Sequence, residues 1–141
     1  MTGSIRFFVP LDKIPSATAQ QKGVKVIKGK PHFFEKSKVS EAKEIYKLGI
    51  APHTPIKPLN GAVRVDIVIQ YPMAKGKSPL AFKMTRPDLD NTAKLILDVM
   101  TDLGFWYDDG QIAQLNLTKL YHEESGILIR VDGFDINRTG I

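Results

Sequence analysis

At 141 residues with no cysteine, the chain is long enough to bury a core as one domain, residues 1–141, and it excludes disulfides, thiolate metal sites and cysteine nucleophiles. No stretch reaches the ~18 apolar residues of a membrane span, and no apolar signal core precedes a cleavage site, so a soluble cytoplasmic protein is expected. The net charge of +5 is unevenly laid out: between Asp88 and Asp109, six of the 15 acidic residues stand against one lysine, while the rest of the chain holds all the other Lys and Arg.

Ile5, Phe7 and Val9 alternate with Arg6 and Phe8, which predicts a first strand closed by Pro10. Lys13 to Gly23 is polar without helical period and reads as a loop. Val24 to Phe34 alternates again around Lys28-Gly29-Lys30-Pro31, a hairpin whose Lys22, Lys25, Lys28 and Lys30 form a basic cluster. Such lysines are either a solvated surface or contacts to phosphates, with His32, Phe33 and Phe34 placed to stack on exposed bases.

Lys38 to Leu48 predicts an amphipathic helix with Val39, Ala42, Ile45, Tyr46 and Leu48 on its apolar side. Three prolines between Gly49 and Pro58 end it, and Leu59-Asn60-Gly61 turns the chain into a strand, where Val63, Val65, Ile67, Ile69 and Tyr71 alternate with polar neighbours. Asp66 on that strand reads as an ion-pair partner of Arg64 or Arg130. Pro72 to Thr85 carries Lys75, Lys77 and Lys83 and leads through Arg86 into the acidic region.

A principal helix follows over Leu89–Leu103, with Leu89, Ala93, Ile96, Leu97, Met100 and Leu103 on one face and Asp90, Lys94, Asp98 and Thr101 on a polar stripe. Gly104 is its left-handed stop, Trp106 a core indole, and Asp108-Asp109-Gly110 a tight turn. Leu115, Leu117, Lys119 and Tyr121 then predict a strand paired with Ile127, Ile129 and Val131 as a hairpin, before a polar tail that frays. The expected fold is α+β: a small mixed or largely antiparallel sheet with two packed helices.

The acidic region has a chemistry of its own. Asp88 at the helix mouth either caps free N–H groups or turns its oxygens to a cation that Asp90 also reaches; Asp109, with Asp108 beside it, returns toward the same place. Carboxylate oxygens of this kind suit Mg²⁺ or Mn²⁺, and the basic remainder of the chain suits a phosphate polymer. Lys94, one turn beyond Asp90, is placed to point at a phosphate, Asp98 to pair with Lys94, and Asn91 to orient Asp90 or cap the helix. An aspartate at a helix start and an Asp-Asp-Gly turn are each common structural choices; their conjunction favours a site. His32, His53 and His122 lie far apart and do not suggest a histidine metal site, and there is no Gly-rich phosphate loop.

Asp88-Leu89-Asp90-Asn91, Lys94, Asp98, Gly104-Phe105-Trp106, Asp108-Asp109 and Gln111 together resemble the signature of the RusA family of Holliday junction resolvases, in residue identities and in the gap between the two acidic clusters. The resemblance implies a homodimeric, Mg²⁺-dependent endodeoxyribonuclease that cuts a four-way DNA junction in paired, symmetric fashion. It implies metal-binding roles for Asp88, Asp90 and Asp109 and a catalytic role for Lys94; Asp108, adjacent to Asp109, is a further candidate ligand by its position. DNA contacts would come from Lys22, Lys25, Lys28, Lys30, Lys75, Lys77, Lys83 and Arg86. Two rival readings are a branched-DNA-binding protein without activity and another metal-dependent phosphoryl-transfer enzyme.

Overall fold

Five alternating apolar residues mark the centre of the molecule. Val63, Val65, Ile67, Ile69 and Tyr71 lie on β4 (Val63–Pro72), and none is more than 7% exposed. The computed structural model describes residues 3–17, 22–27, 30–35 and 37–134, with the backbone alone over 22–37. Strand β1 (Gly3–Pro10) is followed by the antiparallel pair β2 (Lys22–Ile27) and β3 (Lys30–Glu35), then α1 (Ser37–Ile50), β4, α2 (Leu89–Leu103), β5 (Ile112–His122) and β6 (Gly126–Gly133). The sheet order is β1-β6-β4-β5. Strand β6 runs antiparallel to both its neighbours, and β4 and β5 run parallel. The fold is α+β with a mixed sheet, as the alternation and periodicity predict.

Both helices cover the same side of the sheet. Val39, Ala42, Tyr46 and Ile50 of α1 and Leu95, Ile96, Val99 and Met100 of α2 join Phe7, Val9, the inner residues of β4, and Ile127, Ile129 and Val131 in one buried cluster. Each of the larger aliphatic and Phe side chains contributes about 1.5–3 kcal/mol on leaving water, which is what holds α2 in place despite its polar stripe. The helix ends on Gly104, whose φ of +92° is the left-handed conformation that only glycine adopts without strain. Gly126 opens β6 where a Cβ would collide with Val9 O, so close strand approach demands glycine there.

Several expectations are corrected. Strands β5 and β6 do not pair as a hairpin, because β4 lies between them. Helix α2 makes β4 and β5 a parallel crossover unit, and β6 inserts between β1 and β4, where its buried residues are covered on both edges. In α1, Ile45 and Leu48 are 44% and 77% exposed, since the buried stripe runs through 39, 42, 46 and 50. In α2 the buried face also takes in Thr92, Leu95 and Val99, because α1 packs on one flank and the sheet on another. Lys22 and Gly23 begin β2 rather than ending a loop. Lys28, Gly29 and the tail from 135 lie outside the described residues.

Three phenols lie in the core, those of Tyr46, Tyr71 and Tyr121. Tyr46 Oη donates to Pro15 O, and burial, with Tyr71 beside it, pushes its pKa well above the usual tyrosine value. Burial also raises Tyr71, with the Thr92 hydroxyl drawing it part of the way back. The folded protein therefore keeps protons that the unfolded chain releases above about pH 10, and the corresponding stability is present below that pH and lost above it. We expect the wild-type melting temperature to fall more steeply between pH 9 and pH 11 than that of Tyr46→Phe, measured by circular dichroism melts at matched ionic strength; parallel curves would contradict the assignment.

Candidate active site

Helix α2 begins where the apolar period begins, and its first turn carries the acidic residues. Asp88 is the N-cap (φ −65°, ψ 138°), but its side chain makes no cap hydrogen bond. It lines a cavity of about 400 Å³ with Ser16, Lys38, Arg86, Asn91 and Thr92. Neither Lys38 nor Ser16 is suggested by the sequence as part of the site, because each comes from a distant segment and shows no motif.

The polar stripe of α2 faces a second cavity. Asp90, Lys94 and Asp98 line about 420 Å³ together with Asp109, over an apolar floor that includes Ala93, Leu97, Ile112 and Leu117. Helix start and returning turn thus meet, as their spacing predicts. Asp90, Lys94 and Asp109 are exposed, and among the described residues their side chains have no hydrogen-bond or ion-pair partner. Asp98 is different. Its carboxylate lies 3.8 Å from Lys43 Nζ on α1 rather than pairing with Lys94, because the helix–helix contact brings Lys43 to its side. At about one-third exposure each, such a pair contributes little stability.

The turn that presents Asp109 is held from three sides. Asp108 Oδ2 accepts from Gly110 N at 2.9 Å and closes a reciprocal capping box with Gln111, so its carboxylate serves the turn. Gln111 Oε1 accepts from Tyr107 N (2.7 Å) and Asp108 N (3.0 Å), while Nε2 donates to Leu59 O (2.9 Å) and Gly61 O (2.8 Å). One amide thereby joins the 59–61 turn to the Asp109 turn. That link is invisible in the sequence, where Leu59 and Gly61 lie 52 and 50 residues away. Trp106 is buried, donating from Nε1 to Thr101 Oγ1 at 2.8 Å, so it stays in the core as expected.

The donor set fits a hard divalent cation, since it consists of carboxylate oxygens with no competing protein partner. Among the described residues, no three of these groups stand close enough together to enclose one ion. Asp90 and Asp109 share a cavity and Asp88 opens on the neighbouring one. Two carboxylates suffice for Mg²⁺, which commonly completes its shell with water and substrate phosphate.

The basic residues divide. Lys75, Lys77 and Arg86 are exposed before α2. Lys83 is drawn inward, donating to Thr85 Oγ1 at 2.8 Å with its ammonium 5.0 Å and 5.3 Å from the Tyr71 and Tyr121 ring centres. Lys22, Lys25 and Lys30 lie on the β2–β3 pair, with side chains outside the described residues, as is all of Lys28. Asp66 pairs with Arg64 at 3.3 Å, as expected, and Arg130 pairs instead with Asp132 at 2.9 Å.

The family described as Endodeoxyribonuclease RusA matches residues 13–132, a span that contains both helices and every acidic residue of the site. The chain is 32% identical over 127 residues to a crossover junction endodeoxyribonuclease rusA from Lactococcus phage r1t, covering 89% of this chain and 95% of that protein. It is 27% identical over 128 residues to an uncharacterized protein, YqaN, of Bacillus subtilis (strain 168), covering 83% and 89% respectively. No described helix is long and apolar enough to cross a membrane. With the match spanning most of its length and the paired acidic elements meeting on one cavity, this chain belongs to the RusA family of endodeoxyribonucleases.

Proposed function

We propose that this protein is a divalent-metal-dependent, structure-selective endodeoxyribonuclease that resolves four-way DNA junctions by paired symmetric cleavage in the cytoplasm. The observation that carries this reading is the meeting of Asp90, Lys94 and Asp109 on one cavity, each without a protein partner among the described residues. Unpaired charges of both signs are kept there because the substrate and its cation supply the missing partners.

Asp90 and Asp109 would hold the cation, Mg²⁺ or in substitution Mn²⁺, with Asp88 beside them and Asp108 acting through the turn. When bound, the cation lowers the proton affinity of a coordinated water and neutralises charge on the scissile phosphate. Lys94 contributes a second positive charge at the phosphate as negative charge develops on it. Lys75, Lys77 and Arg86, the lysines of the β2–β3 pair, and Lys83 on swinging out from the Tyr71–Tyr121 rings, neutralise flanking phosphates, so affinity comes from backbone charge and junction shape. Cutting two strands symmetrically needs two such sites, and a two-fold homodimer supplies them.

The test is a synthetic mobile four-way junction incubated with Mg²⁺ or Mn²⁺, beside a linear duplex of the same sequence. Paired nicks that require both junction and metal are expected. Tight binding with no product in either metal would move the protein to the non-catalytic junction binders, and a requirement for a free nucleotide would move it to another phosphoryl-transfer class.

A further inference from the structure

Strand β5 is an edge strand, yet part of its edge is covered. Leu80 N donates to Tyr121 O (2.7 Å), Tyr121 N to Ala81 O (2.9 Å) and Lys83 N to Lys119 O (3.1 Å), so residues 80–83 add a short antiparallel rung to the sheet. The ladder stops at that point. Between Lys83 and Asp88 the chain turns away from β5 to start α2, and Pro87 has no N–H to donate. The carbonyls of Thr85 and Pro87 are taken up by a side chain instead: Lys119 Nζ donates to both, each at 2.8 Å.

Lys119 lies opposite Ile69, between Leu117 and Tyr121 on the face of β5 that packs toward the core. Lys119 is half-buried there, its stem lies along the packed face, and its ammonium reaches these two carbonyls at the rim. The Pro87 carbonyl belongs to the peptide group that carries the Asp88 N–H. One ammonium therefore fixes the link immediately before the first acidic residue, two residues ahead of Asp90. Lys119 lines neither the Asp88 cavity nor the Asp90 cavity.

We propose that Lys119 is a positioning residue of the active site, tying the 85–87 segment to β5 so that Asp88 and Asp90 are held in register with Asp109. This rests on the nuclease reading above for its effect on catalysis, though not for the tether itself. Methionine would keep the packing of the stem and leave both carbonyls without the ammonium. Arginine, with several donors in a fixed fork, can serve both.

The experiment compares wild type, Lys119→Met and Lys119→Arg by backbone deuterium exchange, by junction affinity in EDTA and by single-turnover nicking in Mg²⁺. Lys119→Met is expected to speed exchange over 84–92 by about tenfold or more while β4 exchange is unchanged. It should slow nicking by roughly ten- to a hundredfold, the scale of an ångström misplacement, with junction affinity unchanged. Lys119→Arg should restore most of both. The proposal is overturned by wild-type exchange in Lys119→Met, by a loss of affinity that accounts for the whole rate loss, or by Lys119→Arg as impaired as Lys119→Met. A wild type that nicks no junction would overturn the nuclease reading instead, and the exchange measurements would still decide whether the tether exists.

Discussion

Replacing Asp90 by asparagine is expected to lower junction nicking by a factor on the order of 10²–10³ while leaving junction binding in EDTA intact. The substitution keeps the size of the side chain and one carbonyl oxygen, and removes the negative charge that would bind the cation. Asp90 is exposed in the first turn of α2 and its carboxylate has no described protein partner, so little folding energy is at stake. An acid near a helix N-terminus contributes about 0.3–1 kcal/mol, which sets the expected loss of stability. Asp109→Asn should behave alike from the facing turn, because both carboxylates line one cavity. Nicking by Asp90→Asn at near wild-type rates, with metal still required, would remove Asp90 from the metal site.

The second large effect is on stability and reaches the site indirectly. Gln111→Leu removes all four hydrogen bonds of an amide whose donors and acceptors are fully used. Two N–H groups and two carbonyls lose their partner, and we expect a loss of about 2–4 kcal/mol, since neutral hydrogen bonds contribute about 1 kcal/mol each and the turn is partly wet. For a chain of this size that is a fall of roughly 5–12 °C in melting temperature. Gln111→Glu is a sharper probe. It retains Oε1 and puts a second carboxylate oxygen where Nε2 faced Leu59 O and Gly61 O, so it should destabilise the fold although its shape is conserved. Nicking should fall in both variants as the Asp109 turn loosens. A melt of Gln111→Glu superimposable on wild type would show that the amide does not hold the two turns together.

Much of this architecture was legible in the sequence. The apolar recurrence at three and four between Leu89 and Leu103 predicts α2 with the bounds observed, and Gly104 ends it by the left-handed conformation expected of it. Strict alternation from Val63 to Tyr71 predicts β4, whose inner residues are almost wholly buried. The turn at Asp108-Asp109-Gly110 also follows from local chemistry, and so does the Arg64–Asp66 pair two residues apart. What was misread depended on neighbours. Glu123-Glu124-Ser125-Gly126 has the composition of a hairpin turn, yet it carries the chain past β4 to a strand that is not its partner. Ile45 and Leu48 count as apolar in any window, but α1 rolls so that Ile50 is buried in their stead.

Lys119 shows the same division within one residue. Its place between Leu117 and Tyr121 marks it as a charge on the packed face of a strand, and that much is local alternation. Its acceptors, Thr85 O and Pro87 O, come into reach only because residues 80–83 dock on the edge of β5. By itself the sequence determined the helices, the central strand, the segregation of acid from base and the family signature, because these are set by the period, the dihedral preferences and the identities of neighbouring residues. The tertiary structure alone decided which strands pair, that Asp98 meets Lys43, and that Asp88 and Asp90 open on separate cavities. Periodicity says which face of an element leaves water; which other element covers that face is settled by packing between segments far apart in the chain.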